Sequence, residues 1–121
     1  MVGQNLKTIK KRKAKTSSDK LINITNLNFI SEDPFETNLN NINFSVNRGE
    51  CLGIAGISGN GQSELFQVLS GEIISNKSSI EFNKNYIGDL NPQERREYLM
   101  AFSPEDRLEQ AAIPQLSLIH I

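Results

Sequence analysis

The sequence predicts an α/β fold with an antiparallel β part in its N-terminal portion. Three observations carry that prediction. Cys51-Leu52-Gly53-Ile54-Ala55 is a nearly continuous apolar run, the pattern of a strand buried on both faces of a parallel sheet. A glycine-rich turn over 56–61 follows at once and leads into an amphipathic stretch. Upstream, two segments alternate apolar and polar residues, as half-buried strands do.

In chain order, Leu21-Ile22-Asn23-Ile24-Thr25 is the first alternating strand. Residues 31–41 are rich in Ser, Asp, Pro and Asn and read as a loop. Ile42-Asn43-Phe44-Ser45-Val46 is the second strand, and Asn47-Arg48-Gly49-Glu50 has turn chemistry. After the buried run at 51–55, Leu65, Phe66, Val68 and Leu69 fall at helical spacing within Gln62–Leu69, and Gly71 is the expected stop. The segment Leu69-Ser70-Gly71-Glu72 resembles the opening of the LSGGQ signature of transport ATPases, but its position marks it as the end of this helix. Ser79-Ile80-Glu81-Phe82 predicts a short strand and Asn83-Lys84-Asn85 a turn. Pro92 suits the first position of a helix running from Gln93 to Leu99. Met100-Ala101-Phe102-Ser103 predicts another buried strand, ended by Pro104. The many asparagines read as coding bias without a role of their own.

Composition narrows the function classes. The chain has 121 residues, 37% of them apolar and 22% charged, which is ordinary composition for a water-soluble domain. No apolar run approaches the ~18–20 residues of a membrane span, and no apolar segment of a signal peptide follows the basic start. A single cysteine, Cys51, excludes an internal disulfide. A single histidine, His120, excludes a Cys/His metal cluster and leaves no credible Ser/His/Asp triad. Charge is uneven: residues 1–20 hold seven basic residues against Asp19, while the remainder holds six basic and 13 acidic. The basic stretch lacks aromatics that stack on bases, so it reads as a solvated linker and no nucleic-acid partner is expected.

The strongest chemical signal is Gly56-Ile57-Ser58-Gly59-Asn60-Gly61-Gln62-Ser63. It fits the phosphate-loop pattern G-x-x-x-x-G-K-[ST] everywhere except the lysine. Glycines let successive backbone N–H groups converge on an anion, and the helix that follows adds its free N–H groups and positive dipole end. Ser63 supplies the hydroxyl that meets Mg²⁺ between phosphates. Gln62 donates hydrogen bonds but carries no charge, so phosphate binding is expected to survive in weakened form. Pro104-Glu105-Asp106-Arg107 is, on spacing alone, either an ion-paired turn or a ligand loop at the carboxyl end of a strand.

The stretch from Gly49 to Leu65, GECLGIAGISGNGQSEL, closely resembles the second nucleotide-binding domain in the two-domain ATPases of bacterial ABC importers for simple sugars and nucleosides. That family commonly shows GNGQ-S/T-EL here, and Ala101 to Arg107 resembles its PEDR stretch. Met1-Val2-Gly3 resembles the close of the family's first domain, which makes 1–20 an interdomain linker and Met1 internal to a longer protein.

The resemblance implies an incomplete ABC-type P-loop NTPase domain over 21–115, binding ATP with Mg²⁺. It places Gly56, Ile57, Ser58, Gly59, Asn60, Gly61, Gln62, Ser63, Glu64 and Glu105 around the nucleotide, with Ser63 on the metal. It implies a second nucleotide-binding domain, permease subunits and, indirectly, an extracytoplasmic solute-binding protein as partners, at the cytoplasmic face of the membrane. It places the signature motif, the Walker B aspartate and the catalytic carboxylate beyond residue 121, so the chain alone is expected not to turn over ATP. Leu116 to Ile121 departs from the family and resembles a translated transposon-end adapter, so the natural sequence is expected to end near Gln115. The adenine-stacking aromatic is open between Phe29 and Phe35, each equally a packing residue. A rival function also stands: Gln62 suits a non-hydrolysing ABC-type domain with a regulatory or structural role.

Overall fold

The computed structural model describes residues 17–104. An antiparallel sheet of four strands in the order β2-β1-β3-β4 forms the scaffold, from β1 (Lys20–Phe29), β2 (Leu39–Asn47), β3 (Ile80–Phe82) and β4 (Asn85–Tyr86). Helix α1 (Gln62–Ser70) and the short α2 (Pro92–Glu97) complete it. Ile24, Leu27, Leu39 and Ile80 from the strands meet Leu65 and Val68 from α1, with Ile87, in one apolar cluster. No helix among the described residues is long and apolar enough to cross a membrane.

Both leading strands run longer than the alternation predicts, because each contains a bulge. Ile24 pairs with Phe44, Leu27 with Ile42 and Phe29 with Leu39. One residue is in excess on β1 before Leu27, and one on β2 before Ile42. Asn26 and Asn41 absorb the excess, each with φ 48°. Asparagine tolerates that left-handed backbone better than most residues do. The phase of alternation therefore switches within each strand while the apolar side chains stay on one face.

A reciprocal set of asparagine side chains fixes the pair of bulges. Asn43 Oδ1 accepts from the Asn26 N–H at 2.7 Å, and Asn28 Oδ1 accepts from the Asn41 N–H at 2.8 Å. Asn28 and Asn43 also donate to the backbone carbonyls of Asn26 and Asn41 respectively, both within their own strands. Asparagine content that reads as coding bias thus has a structural function at these positions.

The predicted helix at 62–69 and its stop at Gly71 stand. Gly71 takes φ 90°, and its N–H and that of Ile73 both donate to Gln67 O. The β3–β4 connection is a two-residue hairpin, with Asn83 and Lys84 at positive φ and Phe82 opposite Asn85. At α2, Asn91 and Glu94 form a reciprocal capping box ahead of Pro92, and the helix ends at Glu97 rather than Leu99.

Arg95 of α2 is fully buried. Its guanidinium donates to Val68 O at 2.7 Å and Leu69 O at 2.8 Å, the open carbonyls at the end of α1, and to Gly88 O and Leu90 O. Burial pushes its pKa down, and the nearby Asp89 carboxylate raises it part of the way back. Gly71 stands where a side chain would collide, since a Cβ there would lie 2.8 Å from Arg95 Nε.

Two expected strands are absent. Cys51 to Ala55 and Met100 to Ser103 are irregular, and residues 51–55 are exposed. An apolar run signals a demand for burial on both faces, but a strand exists only where neighbours supply the ladder. Among the described residues no segment pairs with either run, and no parallel ladder forms. Leu52 and Ile54 therefore stand 43% and 53% exposed. Met100–Ser103 still contacts α1, through Phe102 edge-on against Phe66 at a centroid separation of 6.3 Å.

Candidate functional site

The candidate site is the loop that feeds α1. Asn60 N–H closes a turn onto Ile57 O at 3.3 Å, and Gly61 then caps the helix from a left-handed backbone with φ 95°. That value suits only glycine comfortably, and a Cβ there would lie 3.2 Å from Leu39 Cδ2. Leu65 N–H makes the first helical bond, to Gly61 O at 2.9 Å. The N–H groups of Gly61, Gln62, Ser63 and Glu64 consequently have no partner within the helix. They sit at the positive end of its dipole, the ordinary arrangement for holding an anion.

Side chains around this loop follow three directions. Gln62 folds back, donating from Nε2 to Ile57 O at 3.2 Å. Its amide lies over Gly56, where a Cβ would collide with Nε2. Ser63, one residue on, is exposed. Glu64 turns the opposite way, and its Oε1 accepts from the Thr37 N–H at 3.0 Å. Thr37 Oγ1 in turn donates to Gly59 O at 2.8 Å. The turn ahead of β2 is thereby pinned to the glycine-rich loop at two points.

Residues 56–64 form the loop and the first residues of α1, and the Glu64 carboxylate is engaged with the Thr37 N–H. Glu105 lies outside the described residues. Thr37 is the member that sequence reading misses, because it lies within a polar run whose contact with Gly59 spans 22 positions. Of the two aromatic candidates, Phe29 packs against the core, whereas Phe35 is 95% exposed on the turn that Thr37 pins. Beside the loop lies an open cavity of about 500 Å³, lined by Leu39, Phe44, Leu52, Ile54 and Leu65 among others. Its walls are mostly apolar, and Gly56, Asn60, Gly61 and Gln62 of the loop form one side of it.

Comparison with known proteins identifies the family of the chain. The family model described as ABC transporter matches residues 39–115. A ribose import ATP-binding protein of Clostridium tetani is 31% identical over 118 residues, covering 98% of this chain and 22% of that protein. A nucleoside import ATP-binding protein of Lactococcus lactis is 29% identical, covering 98% of this chain and 23% of its own length. A xylose import ATP-binding protein of Burkholderia ambifaria is 29% identical, covering 99% and 24%. The chain thus spans about a quarter or less of the curated relatives it matches. No solved structure gives a significant match.

Proposed function

Because this chain belongs to the ABC transporter family, whose model matches 39–115, we propose that residues 56–64 form an ATP site serving the import of a simple sugar or nucleoside. One observation carries the reading: Gly61 caps α1 in a left-handed backbone and so presents the free N–H groups of its first turn to the loop interior. Gly56, Ile57, Ser58, Gly59 and Asn60 shape the cradle, and Gln62 faces the phosphates in place of a lysine. Among the described residues no three carboxylate, thiol or imidazole groups gather into a metal cage. The exposed Ser63 hydroxyl would hold Mg²⁺ together with the nucleotide, and the metal would supply positive charge against the phosphate oxygens. Phe35, exposed on the turn beside the loop, takes the adenine ring, and Glu105 lies close to the nucleotide.

In this reading residues 1–20 are an interdomain linker and 21–115 the N-terminal portion of an ABC domain. The site works against a second nucleotide-binding domain and drives permease subunits at the membrane, with a solute-binding protein acting through them. The relatives described above are import ATP-binding proteins, which lends the rival regulatory reading no support. Displacement of a fluorescent ATP analogue tests the proposal: ATP should compete on the 121-residue chain and fail to do so on Gly61→Asp. Binding that is absent from the parent chain, or unchanged in that variant, overturns it.

A further inference from the structure

Asn60 is the only asparagine of the sequence that glycine follows. It lies in the middle of the candidate loop, between Gly59 and Gly61, both with left-handed backbone. Neither neighbour has a side chain to shield it, and the residue is exposed. Its backbone N–H closes the turn onto Ile57 O. Among the described residues its side-chain amide has no hydrogen-bond partner, whereas the amides of Asn23, Asn28, Asn43 and Asn85 all donate. The next backbone nitrogen, that of Gly61, has no acceptor either, because the helical ladder begins with the Leu65 N–H. It stands at the positive end of the α1 dipole, which favours negative charge on that nitrogen when its proton leaves. An unrestrained carboxamide and an unpaired backbone nitrogen in adjacent residues are the two reactants of asparagine cyclisation.

We propose that Asn60 is a site of spontaneous deamidation that disarms the loop, a consequence that rests on the nucleotide reading above. Gly61 N attacks Asn60 Cγ. The new C–N bond closes a succinimide ring, and the Cγ–Nδ2 bond breaks. The side-chain nitrogen leaves as ammonia, carrying the proton that Gly61 N gives up. One water molecule then opens the ring, with no oxidation or reduction in either step. Opening at Cγ leaves aspartate. Opening at the backbone carbonyl carbon leaves isoaspartate, which adds a methylene to the main chain and displaces Gly61. Either product puts a carboxylate beside the free N–H groups of the first turn of α1. That carboxylate is an internal rival for the positive end of the helix, and it repels phosphate. Bound nucleotide would engage the Gly61 N–H and cover the loop, so occupancy protects Asn60.

Ageing the 121-residue chain in warm, mildly alkaline buffer tests this. Peptide mass spectrometry locates the conversion of amide to acid, and titration with a fluorescent ATP analogue reads the affinity. Conversion should concentrate at Asn60, quicken as pH rises, and slow when ATP and Mg²⁺ are present. Fully converted protein should bind ATP at least about tenfold more weakly, and fresh Asn60→Asp should show a comparable loss. Asn60→Gln, whose longer side chain cannot close the same ring, should keep its own starting affinity through the ageing. Retention of the Asn60 amide overturns the inference, and so does a converted chain that binds ATP as the fresh one does. Both results leave the nucleotide reading intact. Conversion at Asn60 in a chain that never bound ATP overturns the nucleotide reading and leaves the modification standing.

Discussion

Replacing Arg95 with alanine should cost the fold about 4 kcal/mol. The guanidinium makes four contacts of 2.7–3.0 Å with carbonyl oxygens, none of them on a carboxylate. Gly88 O also accepts from the Ser75 N–H and so keeps a partner in the variant. Val68 O and Leu69 O, the open end of α1, are left behind. Each orphaned buried acceptor costs about 1–3 kcal/mol, and lost packing of a fully buried side chain adds more. Relief from burying a cation offsets part of the sum, which gives the central figure of ~4 kcal/mol. Domains of this kind have only about 5–15 kcal/mol in total. Urea unfolding followed by circular dichroism should show the midpoint falling by about 2 M, at ordinary slopes of 1–3 kcal/mol per molar. Arg95→Lys should lie between, since one ammonium cannot span four carbonyls. Burial lowers the Arg95 pKa, yet a guanidinium stays protonated throughout pH 6–9, so the loss should be the same across that range. A midpoint shift below about 0.5 M for Arg95→Ala would refute the argument that this side chain caps α1.

Three further substitutions probe other parts of the structure. Gly61→Ala forces a side chain onto a backbone at φ 95° and against Leu39, and should lower stability by about 1–2 kcal/mol and ATP affinity at least tenfold, read by denaturation and titration. Thr37→Val removes the donor to Gly59 O while keeping shape. It should cost about 1 kcal/mol in urea unfolding and weaken ATP binding several-fold by loosening the loop. Asp19→Asn breaks an ion pair whose partners are both about half exposed, and should shift stability by less than about 1 kcal/mol, with even that difference vanishing in high salt.

The parts of the fold legible in the sequence are those decided locally. Gly71 ends α1 and Pro92 begins α2 because each residue's own backbone preference agrees with the site it occupies. The order of glycines at 56–61 fixes the loop for the same reason. What local pattern could not disclose depends on partners far along the chain. Alternation breaks at Asn26 and Asn41, so the strands read as shorter than they are until the two bulges are seen together. Cys51–Ala55 has the composition of an inner strand, but hydrogen bonds that make it one must come from other segments. Arg95 gives no sequence signal that distinguishes it from Arg96, its exposed neighbour. Thr37 is in the same position among the polar residues of its turn.

The paired bulges have a consequence for the ensemble of the sheet. Between the pairs Ile24–Phe44 and Phe29–Leu39 the two strands contain equal numbers of residues, since one excess cancels the other. A straight ladder with the same ends is therefore a covalently permitted isomer of the native one. In that isomer Leu27, Phe29 and Leu39 turn away from the core, and Asn26, Asn28 and Asn40 take core-facing positions. Every residue on the Phe29 and Leu39 side of the bulges changes face, so the isomer empties part of the core. Burial of Leu27 and the crossed asparagine bonds set the gap between them. Asn26, Asn28, Asn41 and Asn43 thus hold the strand pair in the register that keeps its apolar face continuous.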